Sequence, residues 1–104
     1  MAVYGVAHIT IADRTAYDRY SAAFMEVFAR FKGTLLAVDE TPAVIEGEWT
    51  ATRLVLISFP DEAAFRDWFD SPAYQEIAQH RHAGSTAVIL LARGLGGQAD
   101  AAGS

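Results

Sequence analysis

Apolar and small residues alternate from Val3 to Ile11. The alternation predicts a first strand with Gly5, Ala7, Ile9 and Ile11 on one face and Tyr4, Val6, His8 and Thr10 on the other. Both faces are mostly apolar or aromatic, which suits a central strand covered on both sides. After Asp13 and Thr15, either of which can cap a helix, the period changes to steps of three and four. Tyr17, Tyr20, Phe24, Val27, Phe28 and Phe31 form one stripe and predict a helix to about Phe31 that packs on a sheet. Lys32-Gly33 closes it, with Gly33 expected in the left-handed conformation that follows many helices. Thr34 to Val38 reads as a second strand and Asp39-Glu40-Thr41-Pro42 as a turn. Val44 to Trp49 reads either as a short extended segment or as a bent edge of the second strand. Arg53 to Phe59 is the third main strand, with Arg53, Val55, Ile57 and Phe59 sharing a face.

Pro60 has no N–H for a ladder and ends that strand. Asp61 and Glu62 suit a first helical turn, and Phe65, Trp68 and Phe69 give the short helix an aromatic face. Ser71-Pro72 then supplies a cap oxygen followed by the residue that loses nothing at the first helical position. Tyr74, Ile77, Ala78 and Arg81 follow on a new face. Thr86 to Ala92 is apolar on both sides (Ala87, Ile89 and Leu91 against Val88 and Leu90), so this last strand is expected inside the sheet. Residues 1–94 therefore read as one domain. Residues 95–104, almost all small or polar, read as a flexible C-terminal tail.

The phenylalanine-proline turn at Phe59-Pro60, the aromatic pair Trp68-Phe69, Ser71-Pro72, Tyr74-Gln75 and Arg81 together resemble domain-of-unknown-function family 1330. Glu46-Gly47 with Trp49 is similar to the family pattern as well. Two departures stand out: members usually carry Trp-Tyr where this chain has Trp68-Phe69, and two glycines where it has Gly33-Thr34. The resemblance covers about residues 3–94 and implies small proteins with a ferredoxin-like dimeric α/β barrel. The element order agrees: βαββαβ is the ferredoxin-like split pattern, an α+β sandwich with helices on one face of an antiparallel sheet. Neither face of the first or last strand looks fit for water. A homodimer through the open sheet face, closing a dimeric α/β barrel, is the expected assembly.

Composition sharpens that expectation. A monomer of this length buries only about 60–65% of its unfolded surface. Yet 52% of the 104 residues are hydrophobic and the mean hydropathy is +0.14, which favours a partner covering apolar surface. The net charge is −5, and the 8 basic residues are scattered, which argues against nucleic acid as a partner. No apolar run approaches the ~20 residues that span a bilayer, so no membrane role is expected. The start of the chain lacks a signal-type pattern, and the absence of cysteine fits the cytoplasm.

Candidate chemistry is sparse. The chain has no phosphate-binding loop, dinucleotide fingerprint or serine elbow, and no cofactor is expected. His80 and His82 lie two apart on a helix end, on different faces, so no metal site is expected either. His8, mid-strand, is the candidate general base. Arg81 shares a semi-buried face with Tyr74, and an arginine there must find an acceptor: a carboxylate, a carbonyl or a bound anion. Trp68, Tyr74, Tyr17 and Tyr20 supply rings, and Arg53 a second positive group, for a small planar or carboxylated metabolite. Whether His8 shares that pocket depends on which sheet face it occupies. Two function classes follow: a metabolite-binding protein, or a cofactor-independent isomerase, cyclase, decarboxylase or monooxygenase using His8.

Overall fold

A computed structural model describes residues 1–95 of the chain. Its elements are β1 (Val3–Ile11), α1 (Arg14–Phe28), β2 (Thr34–Asp39), β3 (Arg53–Phe59), α2 (Glu62–Phe69), α3 (Pro72–Gly84) and β4 (Ser85–Arg93). The strands form one sheet in the order β2-β3-β1-β4. All neighbours run antiparallel, with Gly5 opposite Ile57 and Leu91, and Ile9 opposite Arg53 and Ala87. The helices cover the face that carries Val3, Ile9, Ile57 and Phe59, and the buried core lies between these two layers.

Each helix begins where its sequence offers a cap. Asp13 accepts from the Ala16 N–H, Asp61 from the Ala64 N–H at 2.8 Å, and Ser71 Oγ from the Tyr74 N–H at 3.1 Å. Ser71 also donates to the Trp68 carbonyl at 2.8 Å, so one side chain closes α2 and opens α3. Trp68 stacks on Phe59 at 5.6 Å and meets Phe28 edge-on at 5.3 Å, locking α2 and α1 onto β3.

The expected dimeric α/β barrel is corrected by this architecture, which is an open α/β sandwich. β2 and β4 stand at opposite edges of the four-stranded order, so no barrel closes. Apolar residues on both faces of β1 and β4 suggested a covered sheet. In the structure, Tyr4 (37% exposed), Val88 (59%) and Leu90 (54%) face away from the helices and stay accessible.

Smaller corrections concern boundaries. Helix α1 ends at Phe28, because Arg30 and Phe31 donate to carbonyls three residues back and tighten the chain into a turn. Gly33 is not left-handed; among the described residues only Gly47, at φ 91°, has a positive φ. Gly33 is needed for space, since a Cβ there would overlap the rings of Phe28 and Phe59. The 43–50 stretch is neither strand nor bent edge but an irregular loop turned by Gly47. No helix among the described residues is long and apolar enough to cross a membrane. Leu95 apart, the expected C-terminal tail lies outside the described residues.

Candidate functional site

Gly5, Ala7 and Ile9 alternate onto the helix face of β1, and the first two bring almost no side-chain volume. Over Gly5 that room is taken by the Ile57 side chain, 2.8 Å from where a Gly5 Cβ would stand; alongside, a cavity of about 150 Å³ remains between sheet and helices. That is about the size of an engineered protein cavity that accepts benzene. A bulge in β2 helps shape it. Leu35 pairs with Ile57 and Val38 with Val55, so residues three apart line the cavity, while the extra residue Leu36 is 47% exposed. Met25 and Val38, which are 50% and 43% exposed, mark its mouth between α1 and β2.

The cavity is polarised along β1. Near Gly5 stands Phe65, whose ring is 3.7 Å from the site of a Gly5 Cβ and which stacks on Phe69 at 5.5 Å and meets Trp68 edge-on at 5.8 Å. Near Ile9 stands Arg53, its partner across the β1/β3 ladder. Trp68, Tyr74 and Tyr20 connect the two ends: ring centroids are 4.3 Å apart for the first pair and 6.1 Å for the second, and the two tyrosine hydroxyls share a 2.9 Å hydrogen bond. Arg81 sits beyond, its guanidinium carbon 5.9 Å from the Tyr20 ring centroid.

The two arginines are satisfied unequally. Arg53 Nη1 donates to Glu40 at 2.8 Å, and Glu40 also accepts from Arg14, so paired arginines hold its carboxyl below the usual value. The Arg53 guanidinium also lies 5.4 Å from the Tyr17 ring centroid. Arg81 is 6% exposed, and no carboxylate among the described residues pairs with it. Its Nη2 lies 3.3 Å from His82 Nε2. Three buried nitrogens, Arg53 Nε, Arg81 Nε and Trp68 Nε1, have no acceptor among the described residues, and all three side chains line this cavity. Burial raises the Tyr17 and Tyr20 phenols, Tyr20 well above the ordinary value; the nearby arginines oppose the rise in both. Both stay protonated at neutral pH.

His8 stands elsewhere. It occupies the opposite face of β1, between Leu54 and Val88 in the ladder. The indole Nε1 of Trp49 donates to His8 Nδ1 at 2.9 Å. Neutral His8 therefore carries its proton on Nε2, and its basic lone pair is already engaged. Thus Tyr17, Tyr20, Arg53, Trp68, Tyr74 and Arg81 share one cavity, and His8 does not join them. Among the described residues, no group of three His, Cys, Asp or Glu is placed to hold a metal ion.

The family model for the domain of unknown function DUF1330 matches residues 2–95. The chain belongs to this family. No curated protein matches it in sequence. Among solved structures, a protein of unknown function from Rhodopseudomonas palustris superposes with a TM-score of 0.76 at 17% identity, over 92% of this chain and 84% of that one. A dimeric ferredoxin-like protein of unknown function from Jannaschia sp. CCS1 gives 0.67 at 16% identity, over 90% and 100%. SnoaB, a cofactor-independent oxygenase from Streptomyces nogalater, gives 0.63 at 21% identity, over 89% and 92%. At these identities the likeness is one of fold.

Three features of this DUF1330 chain escaped sequence reasoning. Glu40 read as part of a turn, yet it is the counter-ion of Arg53; a carboxylate beside a strand end that later pairs with arginine leaves no local signature. Gly5 and Ala7 read as strand positions, although two small residues in succession on one face are a visible sign that a neighbouring side chain, here Ile57 over Gly5, leans across the strand. Trp49 reaches His8 across 41 residues, a contact that periodicity cannot show.

Proposed function

We propose that the chain binds a small planar carboxylated metabolite in the cavity between its helices and sheet. The observation that carries this reading is the set of three buried, unaccepted N–H groups around one cavity, two of them on arginines. A buried donor without a partner is destabilising, and a buried guanidinium without a carboxylate more so. A bound carboxylate supplies the acceptor that the fold withholds, while the aromatic end takes a ring. Base catalysis by His8 would require Trp49 to release Nδ1 and a substrate on the opposite sheet face; binding in the cavity requires neither.

Benzoate is the simplest probe, titrated calorimetrically into the whole chain. Saturable binding at one site per chain is expected, weakened by about 10–100-fold in Arg81→Gln, the range of a lost charged hydrogen bond. Absence of saturable binding, or equal affinity in the variant, would contradict the proposal.

We also propose that a second copy of the chain covers the open sheet face. The exposed Val88, Leu90 and Tyr4 support this, as does the dimeric description of the Jannaschia protein of like fold.

A further inference from the structure

The unaccepted donors do not cluster at one point. Arg53 Nε belongs to the Ile9 end of the cavity, and Arg81 lies beside Tyr20. Trp68 Nε1 is set apart from Arg81 by two rings: Trp68 stands 4.3 Å from Tyr74, Tyr74 6.1 Å from Tyr20, and Tyr20 5.9 Å from the Arg81 guanidinium carbon, while the other side of Trp68 meets Phe59 and Phe65. A carboxylate at the arginine end therefore leaves the indole N–H without an acceptor. Trp68 is 4% exposed and otherwise surrounded by rings, so water is a poor substitute for a protein or ligand oxygen. The charge count at the arginine end is also limited. Glu40 answers Arg53, and only Arg81 lacks a carboxylate, which leaves one positive charge for the ligand to neutralise.

Resting on the binding function proposed above, we infer that the ligand is a ring-bearing monocarboxylic acid with a second oxygen acceptor across the ring from its carboxylate. The carboxylate meets Arg81 and Arg53, the ring lies along Tyr74, and the distal oxygen accepts from Trp68 Nε1. The Tyr20–Tyr74 hydroxyl pair lies between these ends and offers one further proton to an oxygen on the ring. Trp68 is then a specificity-determining residue as well as a core residue: a ligand with a methyl group in place of the distal oxygen leaves its N–H stranded.

The test compares 4-hydroxybenzoate with 4-methylbenzoate, two probes of nearly equal size, by calorimetric titration of the whole chain and of Trp68→Phe. The expected result is about tenfold tighter binding of 4-hydroxybenzoate to the unaltered chain, the usual scale for a buried donor gaining its acceptor. Trp68→Phe should erase that preference by weakening 4-hydroxybenzoate alone. Equal or tighter binding of 4-methylbenzoate overturns the inference and leaves the carboxylate site standing. A hydroxyl preference that survives in Trp68→Phe also overturns it, since another group then makes the contact. If neither probe binds, this inference and the binding function fall together. Should Trp68→Phe not fold, the proton resonance of the Trp68 indole N–H decides instead: a downfield shift on saturation with 4-hydroxybenzoate but not with 4-methylbenzoate is expected, and its absence overturns the inference.

Discussion

Arg53 and Arg81 each lie against a tyrosine ring, but only Arg53 has a carboxylate to answer its charge. The tyrosines record the same environment, because burial pushes the Tyr17 and Tyr20 phenols up from their ordinary value of 10.0. A raised phenol contributes stability that is full below the unfolded pKa and is lost as pH rises from there through the folded pKa. Stability should therefore be flat from about pH 8 to 9.5 and fall above about pH 10. Urea midpoints across this range check the expectation, and Tyr20→Phe should show a shallower fall. An alkaline decline as steep in Tyr20→Phe as in the unaltered chain would mean that other groups cause it. The residue types at this site were legible in the sequence: Arg81, Trp68 and Tyr74 stood out through helical spacing and the motif around them. Their convergence with Arg53 was not, because it depends on which face of β3 meets α1 and α3.

At the scale of elements, the alternation in β1 and the stripe on α1 were enough to place both layers. The exceptions came from geometry that alternation does not encode. The β2 bulge shifts Val38 back to the cavity side, and a plain reading of Thr34 to Val38 carries no sign of it. Lys32-Gly33 suggests a left-handed terminator, whereas the real constraint on Gly33 is the pair of phenylalanine rings beside it. Gly33→Ala should accordingly lower unfolding free energy by about 1–3 kcal/mol through overpacking. Ser71→Ala tests the α2–α3 junction. Loss of the cap to Tyr74 and of the bond to the Trp68 carbonyl should lower stability by about 1–2 kcal/mol in urea unfolding. A change near zero would show that Pro72 alone sets the helix start.

For the whole molecule, the sheet has one face packed by helices and another that keeps Val88 and Leu90 half exposed. The sequence showed that both faces were apolar; it did not show that the chain itself leaves one open, since its strand patterns are the same in either case. If a second copy covers that face, sedimentation should give a dimer at micromolar concentration. Val88→Lys should give a folded monomer, because it places an unpaired charge on the apolar face that the second copy would cover. A dimer that survives this substitution would place the contact elsewhere.

Central to the proposed function is that Arg81 is held for a ligand rather than for the fold. Its direct test is the thermal midpoint of the unaltered chain and of Arg81→Met, each with and without benzoate. Replacing a buried, unpaired guanidinium by an apolar side chain of similar length should stabilise the free protein. A gain of ~1 kcal/mol corresponds to roughly 4–8 °C in a domain of this size. The variant's midpoint is expected to rise on that scale and to lose the further increase that benzoate gives the unaltered chain. A lower midpoint in Arg81→Met, with the benzoate effect intact, would show that Arg81 anchors the helix instead and would contradict the proposed site.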